Sequence, residues 1–125
     1  MNIKNKVSKK LFHYQWQLIF NLKENNSKEF KKYKKIIPPL DRFWADPFVI
    51  FKNKIYYIFL EEFVYAKNKG HISFLTINEE GKYSKIKKLI EKKYHLSYPN
   101  IFEWNDKYYM IPESYDNKTI EIYEC

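Results

Sequence analysis

Apolar residues in this chain come in short clusters separated by turn-forming residues. The clusters are Trp16–Leu22, Pro47–Phe51, Ile55–Leu60, Ile72–Ile77, Ile101–Trp104, Tyr108–Ile111 and Thr119–Tyr123. All are rich in aromatic and β-branched side chains and too short for helices, so they predict strands. Between them lie Lys52-Asn53-Lys54, Asn78-Glu79-Glu80-Gly81, Asn105-Asp106-Lys107 and Asp116-Asn117-Lys118, whose composition suits tight hairpin connections. Lys28–Lys35 and Lys85–Lys93 lack an apolar stripe and precede proline segments, so they read as strand or loop. The expectation is an all-β chain of antiparallel hairpins.

An ungapped internal repeat sharpens that picture. Ala45–Glu61 aligns on Ser97–Glu113 at an offset of 52, with identical pairs Pro47/Pro99, Asn53/Asn105, Tyr56/Tyr108, Tyr57/Tyr109 and Glu61/Glu113. A further predicted strand pair precedes each copy: Trp16–Leu22 with Tyr33–Ile37, and Ile72–Ile77 with Tyr83–Ile90. Four short strands per period of about fifty residues is the arithmetic of a β-propeller blade. The chain supplies about two blades, whereas propellers close with roughly four to eight. Residues 11–125 therefore read as part of a propeller with one blade face uncovered, open to missing blades or to self-association. Residues 1–10, with four lysines, read as a basic disordered arm.

Composition mostly excludes. One cysteine in 125 residues rules out a disulfide scaffold and points to the cytoplasm; 20% aromatic content rules out a disordered tail. Ile55–Leu60 is the longest apolar run, far short of a membrane span, and polar residues within Leu11–Leu22 argue against a secretory leader. The net charge of +8 sits in residues 1–40, where ten lysines face only Glu24 and Glu29; the remainder has thirteen bases and thirteen acids. Arg42 is the only arginine, so a lysine-rich solvated surface is the reading and nucleic acid is not expected as a partner. Polyanion or membrane-surface binding by Lys28–Lys35 is the alternative.

Asp41-Arg42-Phe43-Trp44-Ala45-Asp46-Pro47-Phe48, Lys69-Gly70-His71-Ile72-Ser73, Tyr94-His95-Leu96-Ser97-Tyr98-Pro99, Met110-Ile111-Pro112-Glu113-Ser114 and Thr119-Ile120-Glu121-Ile122-Tyr123 form an ordered motif series over residues 14–125. That series resembles the N-terminal domain of glucosamine inositolphosphorylceramide transferases, a domain that also accompanies bacterial formyltransferase-like proteins. The resemblance implies a five-bladed propeller akin to the arabinanase, levansucrase and invertase group, including family 43 glycoside hydrolases. In those hydrolases an Asp-Pro at the start of an inner strand supplies the general base, which Asp46-Pro47 matches. The equivalent position of the second copy is Tyr98-Pro99, so the next carboxylate is missing and the catalytic set is incomplete.

Hairpin geometry concentrates polar residues at one mouth. With Asn53 at the centre of the first turn, Ala45 opposes Glu61 and Asp46 opposes Leu60; about Asn105, Ser97 opposes Glu113 and Tyr98 opposes Pro112. Carboxylates that bind hydroxyls beside aromatic faces suit a sugar. The candidates are Asp46 as catalytic base, and Arg42, Trp44, Glu61, His71, His95, Tyr98, Glu113 and Tyr115 as substrate-binding residues. For Arg42 an ion pair with Asp41 or Asp46, and for His71 and His95 a structural role, are the plainer readings. His13, His71 and His95 lack metal-ligand spacing, so neither metal nor cofactor is expected. Glu62 should face away from Glu61, toward solvent or a lysine, and Cys125 has no triad partner. Three functions stand: a non-catalytic glycan-recognising segment associated with a transferase, a hydrolase-like enzyme using Asp46, and a structural or interaction module.

Overall fold

The computed structural model describes residues 14–22 and 29–125; the arm at 1–10, His13 and Lys28 fall outside them. Among the described residues nine strands occur in chain order: β1 (Leu18–Phe20), β2 (Lys34–Ile36), β3 (Arg42–Lys52), β4 (Ile55–Val64), β5 (Lys69–Asn78), β6 (Lys87–Ile90), β7 (Ser97–Trp104), β8 (Lys107–Glu113) and β9 (Tyr123–Glu124). They form three antiparallel sheets, β1-β2, β3-β4-β5-β6 and β7-β8-β9. The only helical segments described are the single 3-10 turns Phe30–Lys32 and Tyr65–Lys67, so no described helix is long and apolar enough to cross a membrane.

The two sequence copies become two hairpins of one design. Each closes through a two-residue loop with both residues left-handed, Asn53 and Lys54 (φ 51° and 62°) and Asn105 and Asp106 (φ 49° and 61°), the geometry that matches strand twist. Each also carries a bulge where two residues face one. Asp46 and Pro47 lie between the paired Ala45/Glu61 and Phe48/Phe59, and Tyr98 and Pro99 between Ser97/Glu113 and Asn100/Ile111. Proline has no N–H to give a ladder, so the interruption falls where a bond is missing anyway. The residue before it, Asp46 or Tyr98, is left-handed at φ 49° or 43°, a strained state that recurs because the bulge demands it.

The expected pairings Ala45/Glu61 and Ser97/Glu113 are present, through two offsetting shifts. Pairing Lys52 with Ile55 moves the turn centre by half a residue, and the bulge moves the register back. Asp46 and Tyr98 consequently sit in the bulges, opposite Leu60 and Pro112, without being ladder-paired to them.

The sheets stack as layers because each strand alternates its faces. Leu18 and Ile36 meet Trp44, Ile58, Leu60, Leu75 and Ile77 on one face of the four-stranded sheet. Phe48, Ile50 and Phe59 on its other face meet Leu96, Ile101, Met110 and Tyr108. Two expectations are corrected here. The pair β5-β6 joins the hairpin that precedes it, not the one that follows, because the β4–β5 link is a single 3-10 turn closed by left-handed Asn68 (φ 47°), which folds β5 straight back along β4. The strand expected over Thr119–Tyr123 shrinks to Tyr123–Glu124. There Glu121 is held by the hydroxyls of Tyr94 (2.7 Å) and Tyr123, while Ile120 stays 82% exposed. The described residues are all-β with antiparallel sheets, and they show no closed ring.

Candidate functional site

Adjacent residues on β4 meet opposite electrostatic fates because a strand turns consecutive side chains to opposite faces. Glu62 faces the layer of β1 and β2, and is 3% exposed. Its Oε1 accepts hydrogen bonds from Arg42 Nη1 (2.9 Å) and Trp44 Nε1 (3.3 Å); its Oε2 accepts from Ser73 Oγ (2.6 Å) and lies 3.0 Å from His71 Nε2. The solvent or lysine partner expected for Glu62 is thereby corrected. Burial alone opposes its ionisation, but bonds from His71, Ser73, Arg42 and Trp44 outweigh burial and hold its carboxyl well below the usual range.

Three predicted substrate contacts are thus placed around Glu62. Arg42 also forks onto Asp41 through Nε and Nη2, both at 2.8 Å, so each of its three guanidinium nitrogens has a carboxylate partner. Trp44 is 6% exposed, with its ring in the first core layer. His71 is 2% exposed; its Nδ1 is buried without a partner among the described residues.

Glu61 faces the other side, at the mouth, and is 6% exposed. Burial first, then the charge of Asp46 and a hydrogen bond with it, and finally the charge of Glu113, raise its pKa to about 7. Asp46 and Glu113 are both exposed, and the charges of both act on Glu61. His95 approaches from the link before β7, with Nε2 3.4 Å from Glu61 Oε1. Its Nδ1 accepts the Gly70 N–H at 2.9 Å, which leaves the proton of the neutral ring on Nε2, pointing at Glu61. Tyr98 and Tyr115 are 57% and 88% exposed, and both line a groove of about 460 Å³ with Pro112 and Glu113. Asp46 and Glu61 border a larger cleft, about 650 Å³, between β1 and β3.

Sequence reasoning overlooked Gly70 as a site element. A Cβ there would fall 2.6 Å from Glu61 Oε1, 2.7 Å from the Leu96 carbonyl oxygen and 2.9 Å from His95 Cε1. The backbone oxygen cannot swing aside, since Leu96 N–H donates to the Gly70 carbonyl at 3.1 Å. Gly70→Ala is therefore expected to destabilise the fold by ~2 kcal/mol or more, within the range for overpacking, and to separate His95 from Glu61. Thermal melts and the His95 imidazole resonances in NMR check both parts. The apolar pattern starts at Ile72 and leaves Gly70 outside it; only with β5 beginning at Lys69 does the glycine lie within a strand, where it marks close backbone approach.

Residues 13–125 match the family described as "Glucosamine inositolphosphorylceramide transferase 1, N-terminal". The chain belongs to this family. Among curated proteins it is similar to glucosamine inositolphosphorylceramide transferase 1 of Oryza sativa subsp. indica, at 27% identity, and to that of Arabidopsis thaliana, at 28%. Each match covers 66% of this chain and 11% of the plant protein, so the chain corresponds to a small part of either relative. No solved structure matches. Membership makes this a domain of the kind found at the N-terminus of a glycoconjugate-modifying transferase, and its relatives here are plant proteins.

Proposed function

We propose that the chain is a non-catalytic glycan-recognising segment of a transferase-associated β-propeller. The observation that carries this reading is the shared mouth. Asp46 presents an exposed carboxylate hydrogen-bonded to the buried Glu61, and Glu113, exposed and near enough for its charge to act on Glu61, lines a groove with the exposed rings of Tyr98 and Tyr115. Carboxylates accept from sugar hydroxyls, and the ring faces pack on the apolar C–H faces of a pyranose. The stacked sheets and repeated bulged hairpins support the propeller part of the reading, and the family 43 hydrolase architecture is its suggested relative.

Glu113→Gln tests the glycan site. It removes one charged acceptor from an exposed position, so binding should weaken by ~1–3 kcal/mol while stability moves by less than ~0.5 kcal/mol. Titration of oligosaccharides by calorimetry, with melts of the same variant, reads both. Loss of stability without loss of binding would sink the site, and absence of any sugar affinity would favour a structural or interaction module.

One observation favours a hydrolase-like second reading. Asp46 precedes Pro47 in the bulge, as the general base of the hydrolase motif does, with Glu113 as its partner acid; Glu61, which shares a hydrogen bond with Asp46, is too close to act across a sugar. Turnover of aryl glycosides that disappears in Asp46→Asn would establish that reading over binding alone.

A further inference from the structure

The layers repeat one another more closely than the ungapped copies alone suggest. Leu96 N–H donates to the Gly70 carbonyl at 3.1 Å, and Trp44 N–H donates to the Trp16 carbonyl at 3.3 Å. Ile72 pairs with Ile90 across β5-β6, and Leu18 pairs with Ile36 across β1-β2. Thus β1-β2 stands to the first hairpin as β5-β6 stands to the second. In the four-stranded sheet, β5 is flanked by β4; among the described residues β1 has only β2, so its inner edge is open. The cleft of about 650 Å³ lies along that edge, walled by Trp16, Leu18, Ile19, Trp44, Val49 and Ile58. It has the place of an inner hairpin.

The same chain carries a face of matching kind. Phe48, Ile50 and Phe59 cover the β7-β8 hairpin, and their counterparts at the offset of 52 are Asn100, Phe102 and Ile111, on the outward face of the last sheet. No described layer covers that face. Phe102 is 38% and Trp104 65% exposed, and Phe102 stacks on Tyr109 with centroids 5.7 Å apart. On the cleft side, Val49 is 50% and Ile19 42% exposed.

We propose that two copies of this chain associate head to tail, the outward face of the β7-β8 hairpin of one filling the cleft between β1 and β3 of the other. The contact continues an interface that already exists inside the chain, since the face at Phe102 would meet the surface at Val49 as the face at Ile50 meets Ile101. Because the two surfaces differ, the contact is heterologous. It goes beyond the glycan reading and competes with it: Asp46 and Glu61 border the same cleft, and Asn100 and Ile111 of the docking face line the groove of Tyr98, Glu113 and Tyr115, so a docked copy and a glycan exclude one another.

Light scattering after size exclusion tests it with the full chain and two variants, Trp104→Glu and Val49→Glu, each altering an exposed side chain on one surface only. Wild type should show at least twice the 15.5 kDa of one chain. Each variant alone should run as a single chain with an unchanged far-ultraviolet spectrum. Mixing the two should restore a species of twice 15.5 kDa, because each variant supplies the surface that the other lacks. A variant whose spectrum changes is replaced by Trp104→Thr or Val49→Thr, judged on the same criteria. A single-chain mass for wild type overturns the proposal and leaves the face to a different sheet. A Val49→Glu chain that still dimerises overturns it in favour of a symmetric contact between outward faces, and failure of the mixture to recover overturns it as well.

Discussion

Glu61→Gln is expected to stabilise the fold at pH 8 and to leave it nearly unchanged at pH 4.5. The carboxyl has a pKa near 4.5 when the chain is unfolded and about 7 in the native mouth. Between those values the unfolded chain gives up the proton and the native chain keeps it, so stability falls as pH rises through the native pKa. At ~1.4 kcal/mol per pH unit the loss is on the order of 3 kcal/mol once pH is well above 7. Glutamine reproduces the protonated acid, with an N–H toward Asp46 and a carbonyl to accept from His95, and it cannot ionise. Urea melts of wild type and variant from pH 4.5 to 8 should diverge toward the alkaline end. A pH-independent difference would mean that Glu61 is already ionised in the native mouth at low pH.

The opposite sign is expected next door. Glu62→Gln should destabilise the chain by ~3–5 kcal/mol at pH 7, the cost of breaking a buried charged cluster. The reason is donor arithmetic. Each oxygen of Glu62 is faced by two donor groups, from Arg42, Trp44, Ser73 and His71, and an amide must turn its NH₂ toward one of those pairs. Because the folded pKa is depressed, the stabilisation is present above the unfolded value of 4.5 and is lost as pH falls through the folded value. Wild type and variant should therefore converge in acid, and a calorimetric series from pH 7 to pH 3 checks the trend. The deficit at pH 7 should lower Tm by roughly 10 °C or more.

Both predictions depend on which side of β4 a residue faces. That alternation was legible in the sequence, and it put Glu61 and Glu62 on opposite faces. What surrounds each face was not. The partners of Glu62 come from β3 and β5, up to twenty residues away, and they meet it because the β4–β5 link is one 3-10 turn that sets Glu62 opposite His71. A pattern reading assigns a glutamate to solvent by default, since carboxylates are seldom buried without several donors.

Sequence by itself determined the succession of strands along the chain, the all-β class and the two equivalent hairpins, because these rest on local properties: alternation of side chains, left-handed tolerance at Asn53 and Asn105, and prolines at Pro47 and Pro99 that stop a ladder. It also brought Glu61 and Glu113 to equivalent places, since a repeat carries its geometry with it. Only the tertiary structure decided which strands share a sheet, how far β9 extends, and that Gly70 is the gap into which Glu61, His95 and Leu96 close. These are outcomes of packing between layers, where the free energy depends on contacts separated by tens of residues and a local pattern holds no record of the partner.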